Sequence, residues 1–130
     1  MQAQDIIHFW FQELNDTQRF AKDTALDAAM RERFGATLQA AARGELSGWR
    51  ATPGGRLAEI VLLDQFSRNL YRDTPGAFAQ DAQALTLAQE LVASRQDQSL
   101  PPAQRIFAYM PYMHSESLLI HAQAVQLFAQ

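Results

Sequence analysis

One stretch limits the folds open to this chain: residues 57–72 read LAEIVLLDQFSRNLYR. Wound as an α-helix at about 100° per residue, this stretch places apolar side chains on almost every side. Leu57 and Ile60 share one stripe, whereas Phe66 lies near the opposite side. A helix that is apolar on most sides is normally covered on most sides. Residues 57–72 therefore predict the central helix of a domain.

The same stretch carries polar side chains that a buried helix does not need. Asp64 and Arg68 stand four residues apart within the apolar stripe. Gln65 and Asn69 form a second polar row about a quarter-turn away. A charge removed from water without a partner is strongly unfavourable, and an acid–base pair at this spacing can meet on a helix. We therefore expect Asp64 and Arg68 to pair with each other or with a neighbouring group.

Length and composition restrict the class of protein. A chain of 130 residues predicts a single domain, residues 1–130, and 48% hydrophobic content is ordinary for a globular protein. The net charge of −3 and the lack of a basic run argue against nucleic-acid binding. The chain has no cysteine, which excludes disulfides and thiolate sites. No apolar run approaches the length of a membrane span, so we expect a cytoplasmic protein.

The remaining pattern predicts about six antiparallel helices, an all-α fold, because no stretch alternates with a period of two. Residues 15–17 read as a turn after the first helix, and Ser115 as the cap of the last. In that last helix, Leu118, Ala122, Val125 and Phe128 are expected to face the core. The predicted helices cover residues 5–14, 23–43, 57–72, 75–96, 101–111 and 116–128.

Three further residues are candidates to join Asp64 and Arg68. His114 and Glu116 lie at the joint after Pro111, which is expected to kink or end its helix, and Asp81 lies on the fourth predicted helix. The arginine offers more donors than one carboxylate can use, so Asp81 or Glu116 could share it. Two interpretations stay open: a buried Arg–carboxylate network that ties helices together, or a polar pocket that meets a ligand.

The usual motifs for catalysis and cofactors are missing. No Gly-rich phosphate loop, nucleophile elbow or HExxH motif occurs. His114 and His121 are seven residues apart, but His114 falls at or before a helix cap, so a two-histidine metal site is not expected. We accordingly expect neither a metal nor a cofactor.

Motifs along the whole chain resemble a known family. In order they read Phe9-Trp10-Phe11, Phe20-Ala21-Lys22-Asp23, Leu62-Leu63-Asp64-Gln65-Phe66-Ser67-Arg68-Asn69, Thr74-Pro75 with Ala77-Phe78-Ala79 and Asp81, and Pro111-Tyr112-Met113-His114-Ser115-Glu116. Together they resemble the bacterial domain-of-unknown-function family 924. The Asp-Gln-Phe-x-Arg-Asn and His-Ser-Glu elements are the sharpest markers.

The resemblance implies a tetratricopeptide-like right-handed superhelix or bundle, without an assigned activity. His8 and Ser67 depart from the family, whose members commonly have aspartate and proline there. Family members also usually continue for some 50 residues beyond the point where this chain stops. Either this is a shortened member or that segment is missing, and part of the pocket wall would then be absent. A truncated edge would also expose apolar surface that could drive self-association.

These observations lead to three functional hypotheses. The leading one is a binding module whose groove beside the central helix holds a peptide segment or a small polar or anionic ligand. Arg68 and His114 would bind the anionic or carbonyl end of that ligand, and Gln65 and Asn69 would bind its amides. The second is a hydrolase that uses His114 or Asp64 as general base and Arg68 to stabilise negative charge. The third is a scaffold that needs only the buried network. A monomer or a homodimer fits each of them.

Overall fold

The computed structural model describes all 130 residues, and they form helices and connecting turns with no β-strand. The all-α prediction is confirmed. The α-helices are α1 Ala3–His8, α2 Asp16–Phe20, α3 Thr24–Ala42, α4 Pro53–Val61, α5 Ser67–Leu70, α6 Asp81–Ala93, α7 Pro102–His114 and α8 Leu118–Phe128. Single π-helical turns at Phe9–Glu13 and Leu62–Phe66 extend α1 and join α4 to α5. Short 3-10 turns occupy Ser47–Ala51, Pro75–Phe78 and Gln96–Ser99.

The centre of the fold is the continuous helix formed by α4, the second π turn and α5, which we call the central helix. It packs against α1, α3, α6 and α7. Its apolar side chains are almost fully buried on every side, including Leu57, Leu62 and Phe66. The prediction of a central helix is confirmed, with its last residue at Leu70 rather than 72.

The start of the central helix depends on capping and on a close backbone approach. The Thr52 hydroxyl accepts a hydrogen bond from the Gly55 amide at 3.0 Å, and Pro53 occupies the first turn. A Cβ atom on Gly55 would lie 1.9 Å from the Trp49 carbonyl oxygen. Glycine therefore allows the preceding 3-10 turn to fold against the helix.

Aromatic side chains fill the space between the central helix and its neighbours. Phe66 lies 5.2 Å from Phe34 of α3 and 5.7 Å from Trp10, measured between ring centroids. Trp10 in turn meets Phe107 of α7 edge to face at 5.7 Å. The core is thus continuous from the first helix to the seventh.

The prediction of a turn at residues 15–17 is wrong, because the short helix α2 begins there at Asp16. Asn15 and Gln18 form a capping box, in which each side chain bonds the other residue's backbone amide at 2.9 Å. Arg19 then donates to the carbonyls of Trp10, Phe11 and Leu14 and ties α2 to the end of the preceding turn.

Two helix boundaries near the candidate residues also differ from the expectation. The fourth predicted helix begins at Asp81, because the Thr74 hydroxyl donates to the Tyr71 carbonyl and Pro75–Phe78 forms a 3-10 turn. Pro111 does not end its helix, since α7 continues to His114. The buried proline removes one backbone donor without stopping the last turn.

The expectation for the last helix is wrong on two points. Ser117, not Ser115, caps α8 by accepting from the Ile120 amide at 3.3 Å. Three of the four side chains expected to face the core are exposed, namely Leu118 by 88%, Val125 by 71%, and Ala122. The helix is apolar on two sides, and the buried side carries Ala124 with the partly buried Ile120, Leu127 and Phe128. None of the helices has both the length and the apolar character needed to cross a membrane.

Candidate functional site

The Asp64 carboxylate is the centre of the candidate site. It lies in the π turn of the central helix and is only 1% exposed. One oxygen, Oδ1, lies 2.9 Å from Arg68 Nη1 and 2.8 Å from His114 Nδ1, and Oδ2 accepts from Gln65 Nε2 at 3.1 Å. Three donors compensate the buried charge, as a carboxylate removed from water requires.

Arg68 connects the central helix to α6. Its Nη1 donates to Asp81 Oδ1 at 2.8 Å and its Nη2 to Asp81 Oδ2 at 3.0 Å, while Nη1 also reaches the Asp64 side chain and carbonyl. The guanidinium therefore bridges two carboxylates and holds α5 against the first turn of α6. The expected pairing of Asp64 with Arg68, and the sharing of Arg68 with Asp81, are both present.

His114 reaches the same group from α7. Because α7 continues through Pro111 for one more turn, the imidazole approaches the central helix. A carboxylate oxygen can only accept, so the hydrogen of the contact with Asp64 belongs to Nδ1 of His114. In the neutral imidazole this leaves Nε2 as an acceptor, and it has no hydrogen-bond partner within the protein.

A cavity of about 750 Å³ opens beside this group, between α6 and the end of α7. Four of the predicted residues line it, namely Arg68, Asp81, His114 and Glu116. The remaining lining residues are Phe78, Ala79, Ala82, Leu85, Pro111 and Ser115. Glu116 lies in the exposed segment between α7 and α8, and its carboxylate takes part in no ion pair.

The other three predicted site residues do not line the cavity. Asp64 lies behind Arg68 and His114 as their shared partner, and Gln65 uses its amide on Asp64. Asn69 is directed elsewhere: its Nδ2 lies 3.5 Å from the sulfur of Met30 on α3, and it is 5% exposed. The row of amides expected at a ligand is therefore absent from the cavity wall.

The charges of the group favour hydrogen-bond acceptance over donation. Arg68 is the only arginine or lysine among the lining residues, and two carboxylates already bond it. Asp81, Glu116 and Nε2 of His114 remain as acceptors along the wall. No set of three or more histidine, aspartate or glutamate side chains is arranged to hold a metal ion.

Phe78 is a lining residue that the sequence did not single out for a site. It is 61% exposed, and the Arg68 guanidinium carbon lies 5.3 Å from its ring centroid. The predicted helix over residues 75–96 includes Phe78, whereas in the structure Phe78 ends the 3-10 turn Pro75–Phe78 before α6 and faces outwards. The preceding Thr-Pro-Gly was the signal of an irregular segment.

Comparisons with known proteins identify the family and support the all-α fold. Residues 6–130 match the family described as bacterial protein of unknown function (DUF924). A solved structure of a protein of unknown function from Agrobacterium tumefaciens is similar with a TM-score of 0.91 and 37% sequence identity, covering 96% of this chain and 70% of that chain. No curated protein matches the chain. The chain belongs to the DUF924 family of bacterial proteins of unknown function.

Proposed function

We propose that the protein binds a small polar ligand, or a polar side chain of a peptide segment, in the cavity between α6 and α7. The observation that carries the proposal is the convergence of Arg68, Asp81, His114 and Glu116 on one cavity of about 750 Å³. That volume lies within the range of small-molecule sites, which combine apolar walls with a few fixed polar groups. Phe78, Leu85 and Pro111 supply the apolar wall here.

The fixed geometry of the polar groups supports binding over simple cross-linking. A structural Arg–carboxylate pair is complete once its charges are matched. Here the network also holds His114 in one tautomer and leaves its Nε2 at the cavity without a partner. Side chains held by packing and hydrogen bonds bind with little loss of conformational entropy.

A cavity-filling variant tests the proposal. The wild-type protein is titrated with a library of metabolites and short peptides, and its melting temperature is followed, since a ligand that binds only the folded state raises it. Ala82 is exposed and lines the cavity, so Ala82→Trp should abolish the shift caused by any ligand found. Thr86→Trp, at an exposed position one turn further along α6, is the matched control. Absence of a shift with the whole library contradicts the proposal.

One contact favours hydrolysis as a second candidate function. The 2.8 Å contact between Asp64 and His114 Nδ1 orients the imidazole as a carboxylate does in catalytic base pairs, with Nε2 free to accept a proton from water. Arg68 retains N–H groups that could stabilise negative charge. Generic esters and amides are the test substrates, with His114→Gln against His121→Gln as control. Equal rates for wild type and His114→Gln exclude this candidate.

A further inference from the structure

The hydrogen-bonding capacity of the cavity wall determines the chemical class of ligand that it accepts. Three of the polar groups that remain free are acceptors: the Glu116 carboxylate, Nε2 of neutral His114, and the lone pairs of Asp81 that Arg68 does not use. The free donors are the Ser115 hydroxyl and the N–H groups of Arg68 that its carboxylates do not use. An acceptor gains nothing from a ligand that brings another acceptor. A ligand that brings N–H donors can satisfy all three groups.

The net charge around the cavity also favours a ligand that brings positive charge. Asp64, Asp81 and Glu116 are three carboxylates around one guanidinium, so the group with Glu116 included stays net negative even when His114 is protonated. An anion would meet on Arg68 only the N–H groups that Asp64 and Asp81 do not use, and it would lie beside the carboxylates of Asp81 and Glu116. Unpaired like charges of this kind are strongly unfavourable.

An aromatic ring at the cavity adds a third, apolar argument. Phe78 is largely exposed and already accepts one cation, the Arg68 guanidinium, against its ring at 5.3 Å. Aromatic faces attract organic cations, and their carbon stems pack against the same surface. Phe78, Ala82 and Leu85 thus offer a surface for the alkyl part of a charged amine.

We propose that the ligand of this cavity carries a protonated amine or guanidinium group, which lies between Asp81, Glu116 and His114 beside Phe78. This inference rests on the proposed binding function and names the ligand class of the same site. It replaces the anionic ligand end that the sequence suggested for Arg68, because the structure places that arginine between two carboxylates.

Three probes of equal length and different charge test the inference. The full chain is titrated with n-butylammonium, n-butyramide and butyrate at constant ionic strength, and backbone amide shifts are followed by NMR. The expected result is saturable shifts at residues around the cavity with butylammonium, at least tenfold tighter than with butyrate. Butyrate binding as tightly as butylammonium overturns the inference and leaves the binding function intact. No saturable shift with any probe overturns both.

A charge-removing variant places the bound cation. Glu116 is exposed and unpaired, so Glu116→Gln should fold normally and weaken butylammonium binding by about two- to fivefold, the range of an exposed charge pair. Glu45→Gln, an exposed glutamate paired with Arg43 outside the cavity, is the matched control and should bind as wild type does. Equal loss in both variants would show a general charge effect and contradict the assigned position.

The source of the amine is distinguished by one further comparison. Butylammonium represents a free amine, and N-acetyl-Gly-Lys-Gly-amide presents the same ammonium on a peptide. Tighter binding of the tripeptide assigns the cavity to a lysine side chain of a protein segment. Tighter binding of butylammonium assigns it to a small amine. Either outcome supports a cationic ligand. If neither cationic probe binds while butyrate does, the inference is overturned.

Discussion

Two arginine–carboxylate groups on the central helix show how the same residue types can serve different purposes. At the beginning of the helix, Glu59 is fully buried, and each of its oxygens accepts from Arg50 at 2.8 Å. Near its end, Asp64 shares its charge with Arg68, His114 and Gln65, and Arg68 continues to Asp81. We call these the Glu59 pair and the Asp64 cluster.

The difference lies in what remains after the hydrogen bonds are made. In the Glu59 pair, two N–H groups of the Arg50 guanidinium match the two oxygens of one carboxylate. The hydrogen bond to Glu59 raises the pKa of Arg50 above its ordinary value. The pair fixes the 3-10 turn Ser47–Ala51 against α4, and neither residue lines the cavity beside the Asp64 cluster. The Asp64 cluster joins three elements and leaves polar atoms at a cavity wall. Completeness of pairing, not burial alone, separates a clamp from a candidate site.

The largest effect is expected at the Glu59 pair. Arg50→Met leaves the buried Glu59 carboxylate without a partner and should lower the free energy of unfolding by about 3–5 kcal/mol, measured by urea denaturation at pH 7. Arg50→Met combined with Glu59→Leu removes both charges and should recover most of the loss. Arg43→Met, in a pair whose side chains are both exposed, is the control. A loss below about 1 kcal/mol in Arg50→Met contradicts the role of a clamp.

A smaller loss is expected at the Asp64 cluster. Arg68→Met should cost about 1–3 kcal/mol by the same measurement, because Asp64 keeps His114 and Gln65 as donors and the partly exposed Asp81 can turn to water. The variant should remain folded and still bind butylammonium, because the acceptors Asp81, Glu116 and His114 stay at the cavity and Asp81 is freed from Arg68. If Arg68→Met is as destabilising as Arg50→Met, the cluster is a scaffold element and the distinction drawn here is wrong.

Much of the cluster follows from the sequence because its logic is local. Asp64 and Arg68 stand one helical turn apart, and a charged pair inside an apolar stripe must find partners. Asp81 could be predicted to join because an arginine offers more donors than one carboxylate can use, and His114 because it lies at the joint after Pro111. The tetratricopeptide-like superhelix, by contrast, stays a prediction, since it concerns how helices stack over long distances.

The errors come from irregular turns. A helical wheel with uniform rotation cannot anticipate the π turn Leu62–Phe66, so it placed Asn69 beside Gln65 at a ligand, whereas Asn69 meets Met30. The Glu59 pair was missed because Arg50 lies in a 3-10 connector without periodicity. Helix α2 is too short for a periodic pattern, although the Asn15–Gln18 capping box was a readable signal.

A third buried carboxylate extends the comparison to a neutral partner. Asp97 is 2% exposed and accepts from the Tyr109 hydroxyl at 2.6 Å. Burial, followed by the hydrogen bond to Asp97 and its charge, raises the pKa of Tyr109 above its ordinary value of 10.0. The folded state therefore holds this proton more tightly than the unfolded state. The resulting stability is complete below pH 10 and is lost as the pH rises further.

Tyr109→Phe tests that linkage. Above pH 10 the wild type should lose stability more steeply than the variant, by up to about 1.4 kcal/mol per pH unit, in melting curves recorded between pH 9 and 11. Burial and the charge of Asp97 also raise the pKa of Tyr112, but this tyrosine is present in both proteins and its contribution cancels. Parallel slopes for the two proteins would show that Asp97 does not depend on a protonated Tyr109.

The smallest effect is expected where the carboxylate is exposed. Glu13 lies 3.2 Å from Arg33 and 3.3 Å from His8, and the hydrogen bond from Arg33 is the main cause that lowers its pKa from 4.5. A lowered pKa gives stability that is present above pH 4.5 and lost as the pH falls below it.

Arg33→Met keeps an apolar stem beside Phe9 and Phe34, so it removes little besides the ion pair. Water and salt screen such a pair, and the urea midpoint should therefore change very little at pH 7 and not at all in 1 M salt. A loss equal to that of Arg68→Met would mean that exposure does not determine the strength of these pairs, and the contrast between the Glu59 pair and the Asp64 cluster would need another explanation.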